Sequence, residues 1–256
     1  MRTVALSLSQ VRYVNKAFWR NPSRAFFTLA FPLMFLVIFT SLLGNNTVHL
    51  GAVTVTSSTY YVAAMAAFAV ITACYMNMAM TMAFQRDAGI LKRIDGSPLP
   101  RRSFLSSRII HAVLVAVLLV TVTAVFGRLF YQAHIPSGLQ LVDFSVMLVV
   151  GAASFCALGL AVTAVIPNSD AAPAIVNASI LPLLFLSGIF VPFGNDTPSW
   201  IQWVARIFPV RHFAQGMLAG FVGTPFRWSD VLFVAAWGVA GLVLSVRYFA
   251  WEPRTG

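Results

Sequence analysis

Six apolar runs, each near the length that crosses a bilayer, constrain this chain more than any other feature. They fall at about residues 25–43, 59–84, 108–130, 142–166, 171–193 and 230–250. A helix rises about 1.5 Å per residue, so about twenty apolar residues cross a hydrocarbon core of about 30 Å. The last run is uncharged only from Val231 to Val246, but Arg247 can snorkel and Tyr248, Phe249 and Trp251 supply an interfacial belt. Between the runs there is little to wet a surface. Only 9% of residues are charged and 59% are hydrophobic, whereas about a quarter of a soluble domain is charged. The expectation is an all-α integral membrane protein of six transmembrane helices, with residues 1–256 forming one transmembrane domain.

The 17 Lys and Arg residues orient that domain. Thirteen lie in the N-terminal tail, in the loop after the second run or at the C-terminus, and four (Arg128, Arg206, Arg211, Arg227) lie on the opposite side. This asymmetry places both termini and the basic loop in the cytoplasm and fits the cell (inner) membrane of a bacterium. The net charge of +10 belongs to this pattern and to lipid head groups, with no compact basic domain to bind nucleic acid. Residues 1–24 precede a 19-residue run that contains Pro32 and continues into Ser41–Gly44, which suits a retained first span better than a cleaved signal peptide. Cys74 and Cys156 sit inside apolar runs, which excludes a disulfide framework, and the four histidines are too scattered to ligate a metal. The chain carries no Walker A glycine loop and no G-x-G-x-x-G, so nucleotide chemistry has to come from another polypeptide.

Two shorter segments are amphipathic. Val4, Leu8, Val11, Val14 and Phe18 recur at helical spacing, with Ser9, Arg12, Lys16 and Arg20 as a second stripe, and Asn21-Pro22 ends the pattern. This predicts an interfacial helix within residues 1–24. Its basic stripe is either a plain topology signal or a surface that also docks a partner. Residues 194–229 predict two short helices dipping into the outer leaflet. Thr197 would cap the first, Pro198 would open it, Trp200, Trp203, Val204 and Ile207 would share one face, and Pro209 would interrupt.

The loop FQRDAGILKRIDGSPLPRRSFLSSRI, residues 84–109, poses a separate question. Topology explains its charge but not Ile90, Leu91 and Ile94 among the charges, which need a surface to cover them. Arg86, Ile90, Arg93 and Ile94 share helical spacing, so the second span is expected to continue beyond the bilayer as a short amphipathic helix, up to the turn signal Asp95-Gly96-Ser97-Pro98. A docking helix between the second and third spans is the reading that accounts for both. This stretch resembles type-2 ATP-binding-cassette (ABC) transporter permease subunits, including the daunorubicin-resistance group of multidrug exporters. The matching residues are Asp87, Gly89, Leu91, Arg93, Ile94, Ser97, Pro98 and Leu99, with Ile90 where Thr is common and Lys92 where an acid is. Residues 186–221, LSGIFVPFGNDTPSWIQWVARIFPVRHFAQGMLAGF, add the family's Ser-Gly-x-x-x-Pro, Pro-x-Trp and a later Pro.

The resemblance implies a permease without its own nucleotide site or cofactor. Separate ABC ATPase subunits would energise it, with ATP and Mg²⁺ held there, and it would pair with an identical or different permease. Residues Arg86 through Leu99 would be the ATPase-coupling segment, and Arg12, Lys16 and Arg20 a second ATPase or membrane-surface contact. Phe31, Phe35, Phe185 and Phe190 would lie near the substrate path, although such aromatics also serve ordinary packing. Asn77 and Asn177 are amides inside apolar runs, suited to interhelical hydrogen bonds or to substrate. The scarcity of ionisable groups at mid-depth favours a hydrophobic or amphiphilic cargo, a drug, antibiotic or lipid, and the resemblance implies that it moves outward. A permease for a lipid-linked glycan and an ion-gradient-driven secondary transporter are the alternatives. The second would call for internal repeats or midplane carboxylates, and neither is visible. An intramembrane enzyme would need a nucleophile and base at one depth, which Ser187 and the distant His111 do not provide.

Overall fold

Hydropathy and helix length build the frame. The computed structural model describes residues 2–43, 46–50, 53–193 and 197–252. Helix α1 spans Arg2–Trp19 and α2 Pro22–Leu43, followed by an antiparallel hairpin of β1 (Thr47–Leu50) and β2 (Val53–Thr56). Helix α3 (Ser57–Ile71) passes through a π-helical turn at Thr72–Met76 into α4 (Asn77–Asp87), so that 57–87 form one rod. Then come α5 (Ile90–Asp95), α6 (Arg101–Tyr131), α7 (Leu139–Val162), α8 (Ala172–Phe185), α9 (Ser199–Ile207), α10 (Pro209–Val222) and α11 (Trp228–Tyr248). Among the described residues, five helical stretches are long and apolar enough to cross a membrane: α2, the 57–87 rod, α6, α7 with its terminal 3-10 turn, and α11.

The rod is the hub. In its most apolar stretch 83% is buried, against 17% for α2, which lies on the periphery. Alanines at 63, 64, 66, 67 and 69 keep the rod thin, so α2, α6 and α10 approach it closely. Helix α7 comes closer still at the π turn, where a Cβ on Gly159 would stand 2.7 Å from the Tyr75 carbonyl oxygen. Gly238 and Gly241 let α11 lie against Ser154 and Leu158 of α7 in the same way.

The fifth apolar run does not form the expected span over 171–193. Helix α8 stops at Phe185, and its 14 residues reach only about 21 Å. Pro182 sits inside the helix and Gly188 adopts φ +87°, so the chain turns at 186–190. Buried non-helical backbone in an apolar setting has to be hydrogen-bonded, and α3 meets this need. Tyr60 donates its hydroxyl to the Gly188 carbonyl, and Tyr61 donates to the Phe190 carbonyl at 3.5 Å.

Helices α9 and α10 take the place of a straight span. Phe213 stands against Gly151 and Phe155, about halfway along α7, while Phe221 meets Phe144 near its start. Helix α10 therefore rises antiparallel to α7 from mid-depth, and the α9–α10 pair is re-entrant. Ser199 opens α9 with Pro198 in the capping position, so the cap is not Thr197, whose carbonyl instead accepts Gln202 Nε2 at 3.1 Å. Gly194, Asn195 and Asp196 of the quoted motif lie outside the described residues. Residues 44–58, a Thr/Ser-rich uncharged stretch that reads as an outward-facing loop, were not expected to hold the strands at 47–50 and 53–56. The Val-Thr-Val-Thr alternation at 53–56 is the strand signal, and Thr56 then caps α3 by accepting the Thr59 amide at 3.4 Å.

The basic elements gather at one end of the bundle. Ser7 of α1 bonds Ser106 of α6 at 3.1 Å, Lys92 pairs with Glu252 at 3.2 Å, and Arg101 lies 5.2 Å from the Trp251 ring. Segment 84–109, α1 and the C-terminal residues thus share this basic end, and the hairpin and residues 132–138 occupy the far end.

Candidate coupling site

The charged segment is shaped by its turn residues. Helix α4 ends at Asp87, and Gly89 takes φ +69°, a left-handed conformation that costs a side-chain-bearing residue about 1–2 kcal/mol. The Gly89 amide still bonds the Arg86 carbonyl at 2.9 Å. Six residues of α5 follow before Ser97, Pro98 and Pro100 stop it, with Ser97 Oγ donating to the Ile94 carbonyl at 2.6 Å. Arg101 closes the turn by gripping both oxygens of Asp95. That hydrogen bond holds the Asp95 carboxyl below its ordinary value.

Arg86 and Asp87 do something the sequence did not disclose. Arg86 is only 2% exposed, so it is not available to a docking partner. Its guanidinium donates to the Thr163 carbonyl at 3.3 Å, to the Pro167 carbonyl at 3.1 Å and to Asp87 at 3.0 Å. Asp87 in turn accepts the Ser169 amide. The pair ties the base of α4 to the turn between α7 and α8, and thereby fixes where α5 starts.

The apolar residues of the segment divide. Leu91 is fully buried and Ile94 and Leu99 are half-buried against the core, so this protein covers them itself. Ile90 is 40% exposed and sits beside exposed Lys92 and Arg93. The surface that needs a partner is therefore smaller than the sequence suggested, and it centres on Ile90. Ser97 and Pro98 are exposed at the following turn.

On α1, Arg12, Lys16 and Arg20 are exposed, whereas Phe18 is buried against the His111 ring, 5.6 Å centroid to centroid. The apolar face divides here too. Val11, Val14 and Phe18 turn toward the bundle and Leu8 turns away, so α1 packs on α6 and does not simply float in the interface.

At mid-molecule the four expected phenylalanines meet. Phe35 lies 5.0 Å from Phe31 and 5.9 Å from Phe190, and Phe190 lies 4.9 Å from Phe185. Phe68 of α3 joins at 5.4 Å from Phe190, and Phe39 stacks on Tyr61 at 5.0 Å. The sequence reading missed Phe39, Tyr61 and Phe68, although Phe35 and Phe39 stand four residues apart on one helical face. Phe31 and Phe185 keep open faces while Phe190 is buried. Asn77 and Asn177 are not part of this cluster. Asn77 accepts Thr81 Oγ1 at 3.3 Å on α4, and Asn177 is half-buried on α8.

Comparison with known proteins fits this arrangement. The family model for ABC-2 type transporters matches residues 9–222, most of the chain, including the coupling segment and the aromatic cluster. The chain belongs to the ABC-2 type transporter family. This permease is 25% identical over 226 residues to YvfS of Bacillus subtilis (strain 168), named as a transport permease, with 88% of this chain and 89% of that one covered. It is 23% identical to ycf38 of Porphyra purpurea, also named as a transport permease, over 90% of this chain and 79% of that one. Over a shorter stretch, 52% of this chain and 36% of the relative, it is 28% identical to YbhR of Escherichia coli (strain K12), named as a probable multidrug ABC transporter permease. The permease is the multi-pass membrane component of an ABC transporter, a type of subunit that works with ABC ATPase subunits.

Proposed function

We propose that this permease exports a hydrophobic or amphiphilic small molecule, driven by separate ATPase subunits that bind at its basic end. That end faces the cytoplasm of a bacterial cell, with both chain ends on the same side. The single observation that carries the reading is the segment from Arg86 to Leu99. An exposed Ile90 flanked by cations stands on a six-residue helix whose base is tied to the α7–α8 turn by Arg86 and Asp87. Such a helix passes a push on Ile90 to both the 57–87 rod and α7. Arg12, Lys16 and Arg20 lie at the same end and offer a second contact to the ATPase or to lipid phosphates.

Nothing in this chain supplies the energy of a switch. Moving a two-state gate from 1:99 to 99:1 takes about 5.5 kcal/mol, and closure of a partner ATPase pair on ATP and Mg²⁺ is the source. The open faces of Phe31 and Phe185, together with the largely exposed α2, support pairing with a second permease, the cargo passing between the two. The aromatic lining favours apolar cargo, and the partial likeness to a multidrug permease points the same way.

The test is Ile90→Asp in the permease co-expressed with its ATPase. The variant inserts and melts like the wild type but loses cargo export and cargo-stimulated ATP hydrolysis by tenfold or more, about 1.4 kcal/mol of coupling. Undiminished export and stimulation would remove the docking role.

A further inference from the structure

A cavity of about 460 Å³ lies between α1, α4 and α6 toward the basic end, and no residue of the aromatic cluster lines it. Its size is that of a pocket for a compact organic group. Its polar lining comes from all three helices, Gln10 on α1, Asn77, Thr81 and Gln85 on α4, and Arg108 and His111 on α6, and no carboxylate lines it among the described residues. The rest of the lining is apolar and includes Phe18 and Met82. Arg108 is held in the wall, donating to Gln85 Oε1 at 3.2 Å with its guanidinium 5.0 Å from the Phe104 ring.

The depth of this wall follows from α6. Arg108 and Arg128 bracket the uncharged part of that helix, and twenty residues rise about 30 Å, the thickness of the hydrocarbon core. Arg108 therefore sits at the edge of the core, where lipid phosphates begin. Tyr13 and Ala17 of α1, both exposed, edge the cavity and leave it open beside the interfacial helix. A cationic, donor-rich lining that is otherwise apolar suits the head of an anionic amphiphile. Phospholipid is the amphiphile always present at that depth.

We propose that this cavity seats the phosphate head of an anionic phospholipid, with its acyl chains leaving past Tyr13 and Ala17. Ile94 and Leu99 of the coupling segment line the same cavity, so the bound lipid braces α5 against α1 and ties coupling to membrane composition. The site depends on the chain lying in a bilayer and not on which cargo is moved.

Native mass spectrometry of the purified permease in detergent tests the proposal, with phosphatidylglycerol and phosphatidylcholine offered separately. The wild type retains one phosphatidylglycerol per chain and releases phosphatidylcholine. Arg108→Gln lowers retention by about tenfold, the effect of one charged hydrogen bond. Ala17→Trp, which narrows the opening at an exposed position, lowers it comparably, while Arg247→Gln outside the cavity leaves it unchanged. Melting curves check that each variant is folded. Equal retention of the two lipids, or wild-type retention by both Arg108→Gln and Ala17→Trp, overturns the site. Displacement of the lipid by millimolar inorganic phosphate also overturns it, since the pocket would then hold a free anion.

Discussion

At position 86 a full positive charge leaves water and receives two carbonyls and a carboxylate in return. Removing one member of such a buried arrangement strands the others, at a cost of about 3–5 kcal/mol. Arg86→Met should therefore lower the melting temperature of the purified permease clearly, and a variant melting like the wild type would show that the tie to Thr163 and Pro167 is not formed. Tyr60 makes a smaller contribution of the same kind. In Tyr60→Phe the Gly188 carbonyl loses its donor in an apolar setting, which costs about 1–3 kcal/mol, and a stability difference below that range would mean another donor serves it. Asp95 behaves differently because it is half-buried at the surface and paired with an exposed arginine. Its carboxyl is depressed by Arg101, so the ion pair persists above the ordinary carboxylate range and opens only as pH falls below it. Coupled ATP hydrolysis should show no step attributable to Asp95→Asn between pH 6 and 8. None of the long-range partners of Arg86, Tyr60 or Tyr61 was visible in the sequence, because each is a carbonyl about 80 to 130 residues away.

Among elements, the short α5 is the most informative. Its position after the second span and the turn at Asp95–Pro98 were legible, but the break at Gly89 was not. Shared spacing from Arg86 to Ile94 predicted a continuous extension of the second span, whereas α4 ends at Asp87 and Gly89 turns the chain at φ +69°. Which of its apolar residues face out was not legible either, because a six-residue helix has too little periodicity to fix a face. Ile90 and Leu91 are neighbours with opposite fates. Leu91→Asp should reduce folded, membrane-extracted protein several-fold, through an unpaired charge in the core, whereas Ile90→Asp should leave the yield intact. Equal yields from the two variants would contradict the assigned faces. The broken α8 and the re-entrant α9–α10 pair were half legible. Pro209 and the tryptophan face predicted two short helices, but a long apolar run concealed the stop at Phe185 because hydropathy does not report Pro182 and Gly188 acting together. The hairpin at 47–56 was missed because two four-residue strands are too short for their alternation to stand out in a Thr-rich segment.

For the whole molecule, composition and run length pointed to a membrane protein, and five of the six expected spans are long apolar helices among the described residues, while the fifth run gives only the short α8. Helix α2 buries little of itself, which in a bilayer leaves it facing lipid or another permease. The central claim is that the permease is moved by an ATPase and not by its own chemistry or by an ion gradient. The direct measurement is transport of a lipophilic fluorescent cation in proteoliposomes, with and without the partner ATPase. ATP-dependent movement that requires both proteins and is lost in Ile90→Asp is the predicted result. Movement by the isolated permease under a proton or sodium gradient, without ATPase or ATP, would contradict the account.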